Sequence, residues 1–341
     1  QVLLHRQRVQ DLRDRHRDPP FYAAVIYFPY NAIIEKYFHI FKFFYKIQIE
    51  SEIIYSQKQN GGIQVTKQLM SGNEAAARGA CEAVAFASAY PGTPSTEILE
   101  NVGTYKEIVA EWAPNEKVAM EAAIGASMGG VRSMAAMKHV GLNVAADPIF
   151  TFAYMGVSGG MVFVTADDPG MHSSQNEQDN RNYAPFIKIP MLEPSDSQEA
   201  KDMFRDAFDL SERFDTPVMF RMTTRVCHSK SLVEPGERHP FAAIPYVKNR
   251  AKFDDVPAAA KRNRLKMPER DRRLLELSND CEYNRAEYSG SGKVGIVTSG
   301  VSYQYAKEVF GDSVSYLKLG LTNPLPIDLI REFAPASRRC T

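Results

Sequence analysis

The chain has 341 residues, of which 44% are hydrophobic and 24% charged, a composition typical of a folded globular protein with room for two domains. Lysine and arginine together number 41, as do aspartate and glutamate, so the overall charge balance gives no support to nucleic-acid binding. No apolar run approaches the length of a membrane span, and we expect a protein without a membrane segment.

The four cysteines are far apart and form none of the close pairs typical of metal sites: Cys81, Cys227, Cys281 and Cys340. Their spacing predicts neither a zinc site nor an iron–sulfur cluster, so no metal ligand is expected within this chain. Sparse cysteine is also usual in a reducing compartment, which favours a cytoplasmic location.

Residues 1–65 differ in composition from the rest of the chain. An arginine-rich opening precedes residues 21–55, which are dense in Phe, Tyr, Ile and Lys and lack the periodicity of a strand or a helix. One interpretation is an arm that binds a lipid surface or a partner. We favour the other, an appended segment foreign to the fold, because the chain starts with Gln and Met70 stands just before a conventional domain begins.

Between residues 66 and 235, short apolar segments alternate with longer helical patterns. Ala-rich residues 72–84 predict a helix, residues 85–90 and 159–168 predict buried strands, and residues 196–214 form an amphipathic helical pattern. Strands that alternate with helices of ten or more residues predict an α/β domain with a mainly parallel sheet.

The remaining sequence predicts a connection and then a second α/β domain. Residues 236–290 are charged and irregular, and we expect a linker or excursion there with one helix near residues 269–279. The strand, turn and helix pattern resumes in residues 291–341. Two strands and two helices are too few to close a domain, so this second domain is expected to be cut short.

The turn AYPGTPST, residues 89–96, places two prolines and a glycine between a predicted strand and a predicted helix. With Thr93 as the N-cap, Pro94 falls at the first helical position, where its missing N–H costs nothing. The turn also follows the C-terminal end of a strand, where parallel sheets bind ligands, and its hydroxyl and free N–H groups could hold a carboxylate. Spacing alone favours capping over binding.

Glu121 lies in a predicted helix that otherwise consists of small and apolar residues, in the segment 118–130. Small neighbours allow another backbone or a flat ligand to approach closely, and the carboxyl group would then be desolvated. Alternatively, Glu121 points to solvent from the edge of the helix. The sequence leaves both interpretations open.

Two polar segments follow later strands. Asp167, Asp168 and His172 suggest a metal site, but they match no known ligand spacing, and a loop of turn-forming residues is the favoured interpretation. The second segment predicts either an anion-binding patch or, more often, a solvated strand end: Arg221, Arg225 and His228.

Several sequence blocks, in order along residues 66–335, resemble the 2-oxoacid:ferredoxin oxidoreductases, and within that family the alpha subunits of indolepyruvate ferredoxin oxidoreductases. The matching blocks are YPGTPSTEIL, EWAPNEKVAMEAAIGASMGGVRSMAAMKHVGLNVAADP, GGMVFVTADDPGMHSSQNEQDNR and RMTTRVCHSKSLVE. The resemblance implies a thiamine diphosphate-binding fold, namely a pyrimidine-binding domain with a mainly parallel sheet. A partial transketolase C-terminal-like α/β domain would follow it.

The resemblance also implies a reaction and roles for two residues. The family oxidatively decarboxylates 2-oxoacids, here aryl 2-oxoacids such as indolepyruvate, to acyl-coenzyme A with ferredoxin as the electron acceptor and a beta subunit as partner. A helix glutamate of the family contacts the aminopyrimidine ring of thiamine diphosphate, and Glu121 matches that position. Thr93 matches a position that contacts the substrate carboxylate, so the turn is expected both to cap and to bind.

This chain departs from the family pattern in two respects, the first being that residues 81–86, CEAVAF, are one residue shorter than expected before the strand. The Gly-Asp-Gly metal motif and the cysteine-rich cluster motifs are not found in the sequence, so magnesium and 4Fe–4S clusters are expected only in the full-length enzyme. Alone, the chain is expected to be an inactive, self-associating fragment. The alternatives are a non-catalytic thiamine-fold module that acts only in subunit association, or an oxidoreductase for pyruvate or 2-oxoglutarate.

Overall fold

The computed structural model describes residues 67–238, 241–289 and 294–336. The expectations for residues 1–65 lie outside the described residues. Among the described helices, none combines the length and apolarity needed to cross a bilayer.

The helices of the described residues are numbered in chain order: α1 (Gly72–Ala83), α2 (Thr96–Val102), α3 (Glu116–Met128), α4 (His139–Met155), α5 (Tyr183–Ile187), α6 (Ser197–Phe214), α7 (Thr224–His228), α8 (Arg250–Phe253), α9 (Pro257–Arg264), α10 (Met267–Asn279), α11 (Val301–Phe310) and α12 (Ile327–Ala336). The strands are β1 (Gln68–Ser71), β2 (Phe86–Ala89), β3 (Val109–Trp112), β4 (Ser133–Lys138), β5 (Met161–Asp167), β6 (Met191–Leu192), β7 (Val218–Thr223), β8 (Lys230–Val233), β9 (Arg285–Glu287), β10 (Gly295–Ser299), β11 (Ser315–Leu319) and β12 (Leu321–Asn323).

The central sheet has seven strands in the order β12-β6-β7-β5-β4-β2-β3. Strands β2 to β7 pair in parallel, and only β12 runs antiparallel, against β6. The expected mainly parallel α/β sheet is therefore confirmed. Because the parallel strands point the same way, their C-terminal ends meet at one edge, where open α/β sheets bind ligands.

Helices cover both faces of this sheet and bury two apolar cores. In β4, Met134 and Ala136 face the core beneath α1, α2 and α6, whereas Ala135 and Met137 face the core beneath α3, α4 and α5. Side chains alternate between the two faces of a strand, so a strand covered on both sides reads as a continuous apolar run. This is why the central strands were recognisable from sequence.

The Ala-rich helix α1 packs unusually close to α6. A Cβ added at Gly79 would lie 2.4 Å from the carbonyl oxygen of Lys201, so a larger residue at that position would push the two helices apart. The capping box at the start of α1, formed by Ser71 and Glu74, fixes where the helix begins. Helix α1 is thus held in place both by its cap and by its small residues.

Residues 236–290 contain more regular structure than the sequence predicted. Three helices lie there, α8, α9 and α10, together with strand β9, which pairs antiparallel with β11. Helix α10 buries Met267 and Leu274, and the Arg270 guanidinium donates to the carbonyl oxygens of Ala153 at 2.9 Å and Lys188 at 3.0 Å. Helix α10 confirms the one helix expected near residues 269–279, whereas α8, α9 and β9 were not expected.

The C-terminal part of the described chain contacts the first part both through a sheet strand and through side chains. Strand β12 extends the central sheet, and a buried ion pair joins β11 to α6, where Lys318 Nζ lies 2.6 Å from Glu199 Oε2. Burial lowers the pKa of Lys318 although Glu199 opposes the shift. Residues 315–323 therefore pack directly against the domain that contains the central sheet.

Removing residues 1–65 should leave a chain that still unfolds cooperatively. The first described strand, β1, is held by its own antiparallel pairing with β8, from Gln68 opposite Val233 to Ser71 opposite Lys230. Circular dichroism during heating checks this, with a deletion of residues 1–20 as the control. A broad, non-cooperative transition for the longer deletion alone would show that residues 21–65 are required for folding.

Candidate active site

The candidate site lies at the edge of the central sheet where the C-terminal ends of β2, β4, β5 and β7 meet. The turn at residues 90–95 follows β2, Lys138 ends β4, and Asp167 ends β5. Segments that are far apart in the chain, among them the turn at residues 90–95 and the polar residues after β5, thus come together at one edge of the sheet. Residues 168–182 form a loop that follows β5 at this edge.

The turn after β2 differs from the cap that the sequence predicted. Helix α2 begins at Thr96, its N-cap is Ser95, and the Thr93–Pro94 peptide bond is cis. The expectation of Thr93 as N-cap with Pro94 at the first helical position is therefore wrong. The turn is closed instead by bonds to Gly92, whose N–H donates to Thr96 Oγ1 at 2.8 Å and whose carbonyl accepts from Ser95 Oγ at 3.0 Å.

Thr93 is left on the surface by this arrangement. Its side chain is exposed, whereas Pro94 is buried and its carbonyl oxygen accepts a 2.7 Å hydrogen bond from the Asn73 amide. Among the described residues, the Thr93 hydroxyl has no hydrogen-bond partner. It therefore remains available to a ligand at the sheet edge.

The end of β4 ties down the loop at residues 168–182. Lys138 Nζ donates to the carbonyl oxygen of Ser173 at 3.1 Å, and His139 Nε2 lies 3.0 Å from the carbonyl oxygen of Asn176. His139 is fully buried. Because a carbonyl accepts only, Nε2 must carry the proton in this contact.

Asp168 organises the same loop and is not free to bind a metal. Its carboxylate accepts from the Ser173 N–H, the Ser174 hydroxyl and the Thr224 hydroxyl, each at 2.8 Å. Burial alone would raise the pKa of Asp168, but these hydrogen bonds lower it overall. His172, the third residue of the metal hypothesis, is exposed.

Arg221 forms the centre of a buried charge network beneath the loop. Its guanidinium lies 2.8 Å from Asp167 Oδ2 and 3.7 Å from Asp179 Oδ1, and it also pairs with Glu193. Burial raises the pKa of Asp167 even though Arg221 pulls it down. For Arg221 itself, burial alone would lower the pKa, but the surrounding carboxylates raise it overall.

Of the two interpretations of Arg221, Arg225 and His228, the anion-binding patch is not supported at two of the three residues. Arg221 is saturated by carboxylates, and the exposed His228 lies 3.8 Å from Glu97 Oε1, another carboxylate. Carboxylates thus occupy Arg221 and His228, whereas no ion pair is found for Arg225 among the described residues. The structure supports a structural role for Arg221 instead.

Glu121 lies on the outward face of α3. Its side chain is 53% exposed, and Oε1 lies 4.0 Å from Lys117 Nζ, which itself pairs with Asp147 at 3.0 Å. A Cβ added at Gly125, one turn further on, would meet nothing within 4 Å. In this chain Glu121 is thus solvated, which matches the second of the two interpretations of its environment.

Glu116, in the first turn of the same helix, has the environment that was expected for Glu121. It is only 8% exposed, and a Cβ added at Gly141, near the start of α4, would lie 2.6 Å from Glu116 Oε1. Among the described residues, no hydrogen bond or ion pair to its carboxylate is found. The preceding Asn115 caps the helix by accepting from the Val118 N–H at 3.0 Å.

Sequence reasoning missed Glu116 because an acidic residue in the first turn of a helix is an ordinary capping feature. A signal was nevertheless present. Glu116 lies four residues after the C-terminal end of β3, at the ligand-binding edge of the sheet, whereas Glu121 lies more than a turn further along the helix.

Comparison with known proteins gives matches over most of the described chain. Residues 75–273, more than half of the chain, match the family described as "Pyruvate flavodoxin/ferredoxin oxidoreductase, thiamine diP-bdg". The solved 2-oxoglutarate:ferredoxin oxidoreductase from Magnetococcus marinus, with 2-oxoglutarate, coenzyme A and succinyl-CoA bound, superposes with a TM-score of 0.64 over 79% of this chain and 56% of that one. At 20% identity this likeness concerns the fold alone.

Curated relatives are more similar in sequence. Indolepyruvate oxidoreductase subunit IorA from Archaeoglobus fulgidus is 43% identical over 80% of this chain and 46% of its own length. The subunit of the same name from Methanothermobacter marburgensis is 46% identical over 77% and 44%. 2-Oxoglutarate synthase subunit KorA from Archaeoglobus fulgidus is 26% identical over 78% and 84%. The chain spans slightly less than half the length of the two indolepyruvate oxidoreductase subunits.

Proposed function

Because the chain belongs to the family of thiamine diphosphate-binding domains of pyruvate flavodoxin/ferredoxin oxidoreductases, we propose that it is part of an enzyme that oxidatively decarboxylates aryl 2-oxoacids. The substrate class is indolepyruvate and its relatives, the electron acceptor is ferredoxin and the acyl acceptor is coenzyme A. The observation that carries this proposal is the 43–46% identity to indolepyruvate oxidoreductase subunits, against 26% to a 2-oxoglutarate synthase subunit.

The described residues fit one end of thiamine diphosphate. When bound, this cofactor supplies the electron sink that decarboxylation of a 2-oxoacid requires. Its aminopyrimidine ring needs a carboxyl group that is shielded from water, and its diphosphate needs a divalent ion held by oxygen ligands. A buried carboxyl group is present at the sheet edge, whereas the described residues contain no cluster of three or more His, Cys, Asp or Glu arranged to hold a metal ion.

We propose Glu116 as the carboxyl group that meets the aminopyrimidine ring. Glu116 is 8% exposed and packs against Gly141, no partner contacts its carboxylate among the described residues, and a ring nitrogen could share a proton with it. The resemblance assigns this role to Glu121, which is solvated in this chain. Glu121 stays the alternative catalytic and cofactor-binding residue, and parallel variants distinguish the two.

Thr93 is proposed to contact the substrate. Its exposed hydroxyl, at the same edge as Glu116, can donate to the carboxylate of a 2-oxoacid. The loop at residues 168–182 would then limit the entry of water from the side of β5. Both roles concern binding and orientation and leave the bond-breaking chemistry to the cofactor.

The complete site is proposed to need further protein. A beta subunit, magnesium and 4Fe–4S clusters are expected in the full-length enzyme, in the cytoplasm. The open face of α3 around Glu121 and Gly125 is proposed to be covered there, and in the isolated chain the same face would promote self-association.

The isolated chain should therefore bind thiamine diphosphate with magnesium weakly or not at all. The described residues contain no group of three or more His, Cys, Asp or Glu placed to hold the divalent ion of the diphosphate, so the charged end of the cofactor has no anchor there. Calorimetric titration of the purified chain measures this, with the full-length complex as the positive control. Micromolar binding by the isolated chain would show that the described residues already form a complete site.

A substrate panel tests the proposed function. The full-length protein assembled with its partner subunit should reduce ferredoxin with indolepyruvate at a kcat/KM well above those with pyruvate and 2-oxoglutarate. A preference for either of the other acids would correct the substrate class. Activity with none of them, in a complex that binds the cofactor, would favour the second candidate function, a non-catalytic thiamine-fold module in subunit association.

A further inference from the structure

Lys138 lies beside the turn that carries Thr93, at the end of the neighbouring strand β4. A Cβ added at Gly92 would lie 3.0 Å from both Cγ and Cδ of Lys138, so the lysine stem runs directly across the bare face of this glycine. The contact holds the ammonium group close to the turn. A residue larger than glycine at position 92 would displace the Lys138 side chain.

The charge of Lys138 is not neutralised by the described part of the chain. Its Nζ donates to the neutral carbonyl oxygen of Ser173 at 3.1 Å, and no ion pair joins it to a carboxylate there. Lys117, Lys252 and Lys318, by contrast, each pair with an aspartate or glutamate. An ammonium with a single neutral acceptor at a ligand-binding edge has donors left for an anion.

We infer that Lys138 is a specificity-determining residue that binds the carboxylate of the 2-oxoacid substrate together with Thr93. The inference rests on the proposed function and extends it. A hydroxyl supplies one hydrogen bond, whereas an ammonium adds a charge-assisted bond, which is about twice as strong as a neutral one. Lys138 would thus discriminate the acid from neutral molecules that carry the same aryl group.

The test measures binding by the full-length complex without turnover. Calorimetry compares 3-(indol-3-yl)propionate with its neutral amide, 3-(indol-3-yl)propionamide. The Lys138→Gln variant replaces the ammonium with a neutral donor on a side chain one bond shorter, and Lys138→Arg keeps the charge. Lys106→Gln removes an exposed lysine elsewhere. We expect Lys138→Gln to weaken carboxylate binding about tenfold or more, with the amide unchanged and Lys138→Arg close to wild type.

Three results would overturn the inference. Equal weakening of carboxylate and amide would show that Lys138 only positions the loop, and unchanged carboxylate binding would remove it from the site. Weakened binding of coenzyme A relative to dephospho-coenzyme A, with the carboxylate unaffected, would assign the ammonium to a phosphate. A failure of the proposed function would give a different result. In that case the wild-type complex would bind the carboxylate but would turn over no 2-oxoacid.

Discussion

Replacing Glu116 with glutamine should lower turnover of the full-length complex by roughly a hundredfold or more, the usual scale for a positioned acid–base group. Glutamine keeps the volume of the side chain but cannot share a proton with a ring nitrogen. Glu116 is 8% exposed at the ligand-binding edge, so no water can take over this role easily. The measurement is kcat with saturating 2-oxoacid, coenzyme A and thiamine diphosphate.

Glu121→Gln is the matched control on the same helix. Its side chain is 53% exposed, and substitutions at such positions change function or stability by about twofold or less when they lie outside a site. Both variants should unfold at the wild-type temperature. A large loss for Glu121→Gln with little change for Glu116→Gln would show that the resemblance located the residue correctly and that α3 is covered in the complex.

Arg221→Met should destabilise the chain by about 3–5 kcal/mol, the usual effect of removing one partner of a buried ion pair. The methionine would leave Asp167 and Glu193 buried without the cation that each now contacts. The loop at residues 168–182 would lose an anchor at the same time, through Asp179. Urea unfolding followed by circular dichroism gives the free energy of unfolding.

The loss of stability in Arg221→Met should depend on pH. Asp167 already has a raised pKa, and without Arg221 its pKa would rise further, so the folded state would bind a proton more tightly than the unfolded state. The deficit should therefore shrink as the pH falls through the folded-state pKa. Arg272→Met, which breaks pairs on the solvent side of α10, should cause little change at any pH. Equal effects of the two variants would contradict the assigned role of Arg221.

The sheet could be predicted from sequence because its central strands are buried on both faces. Residues 161–164 form an apolar run, MVFV, in a strand that is buried throughout, and amphipathic α6 has an equally clear period. Helices α8 and α9 lack such a signal, since polar contacts hold them: the Asn263 amide in α9 donates to the carbonyl oxygen of Lys252 in α8 at 3.3 Å. Composition therefore underestimates order where side-chain hydrogen bonds replace apolar packing.

The candidate site was only partly predictable. The turn at residues 90–95 was recognised, but its geometry depends on Asn73 in α1, which lies 21 positions from Pro94. The choice between Glu116 and Glu121 depends on contact with Gly141 in another helix, which no local pattern encodes. Local sequence locates the edge of the sheet, whereas the burial of each carboxyl group follows from tertiary packing.

The central claim is that this chain supplies part of a thiamine diphosphate-dependent 2-oxoacid oxidoreductase. The direct test is ferredoxin reduction by the full-length complex with indolepyruvate and coenzyme A, measured before and after removal of thiamine diphosphate. We predict activity that is lost with the cofactor and restored when it is added back with magnesium. Reduction that persists without the cofactor, or none with any 2-oxoacid in its presence, would contradict the claim.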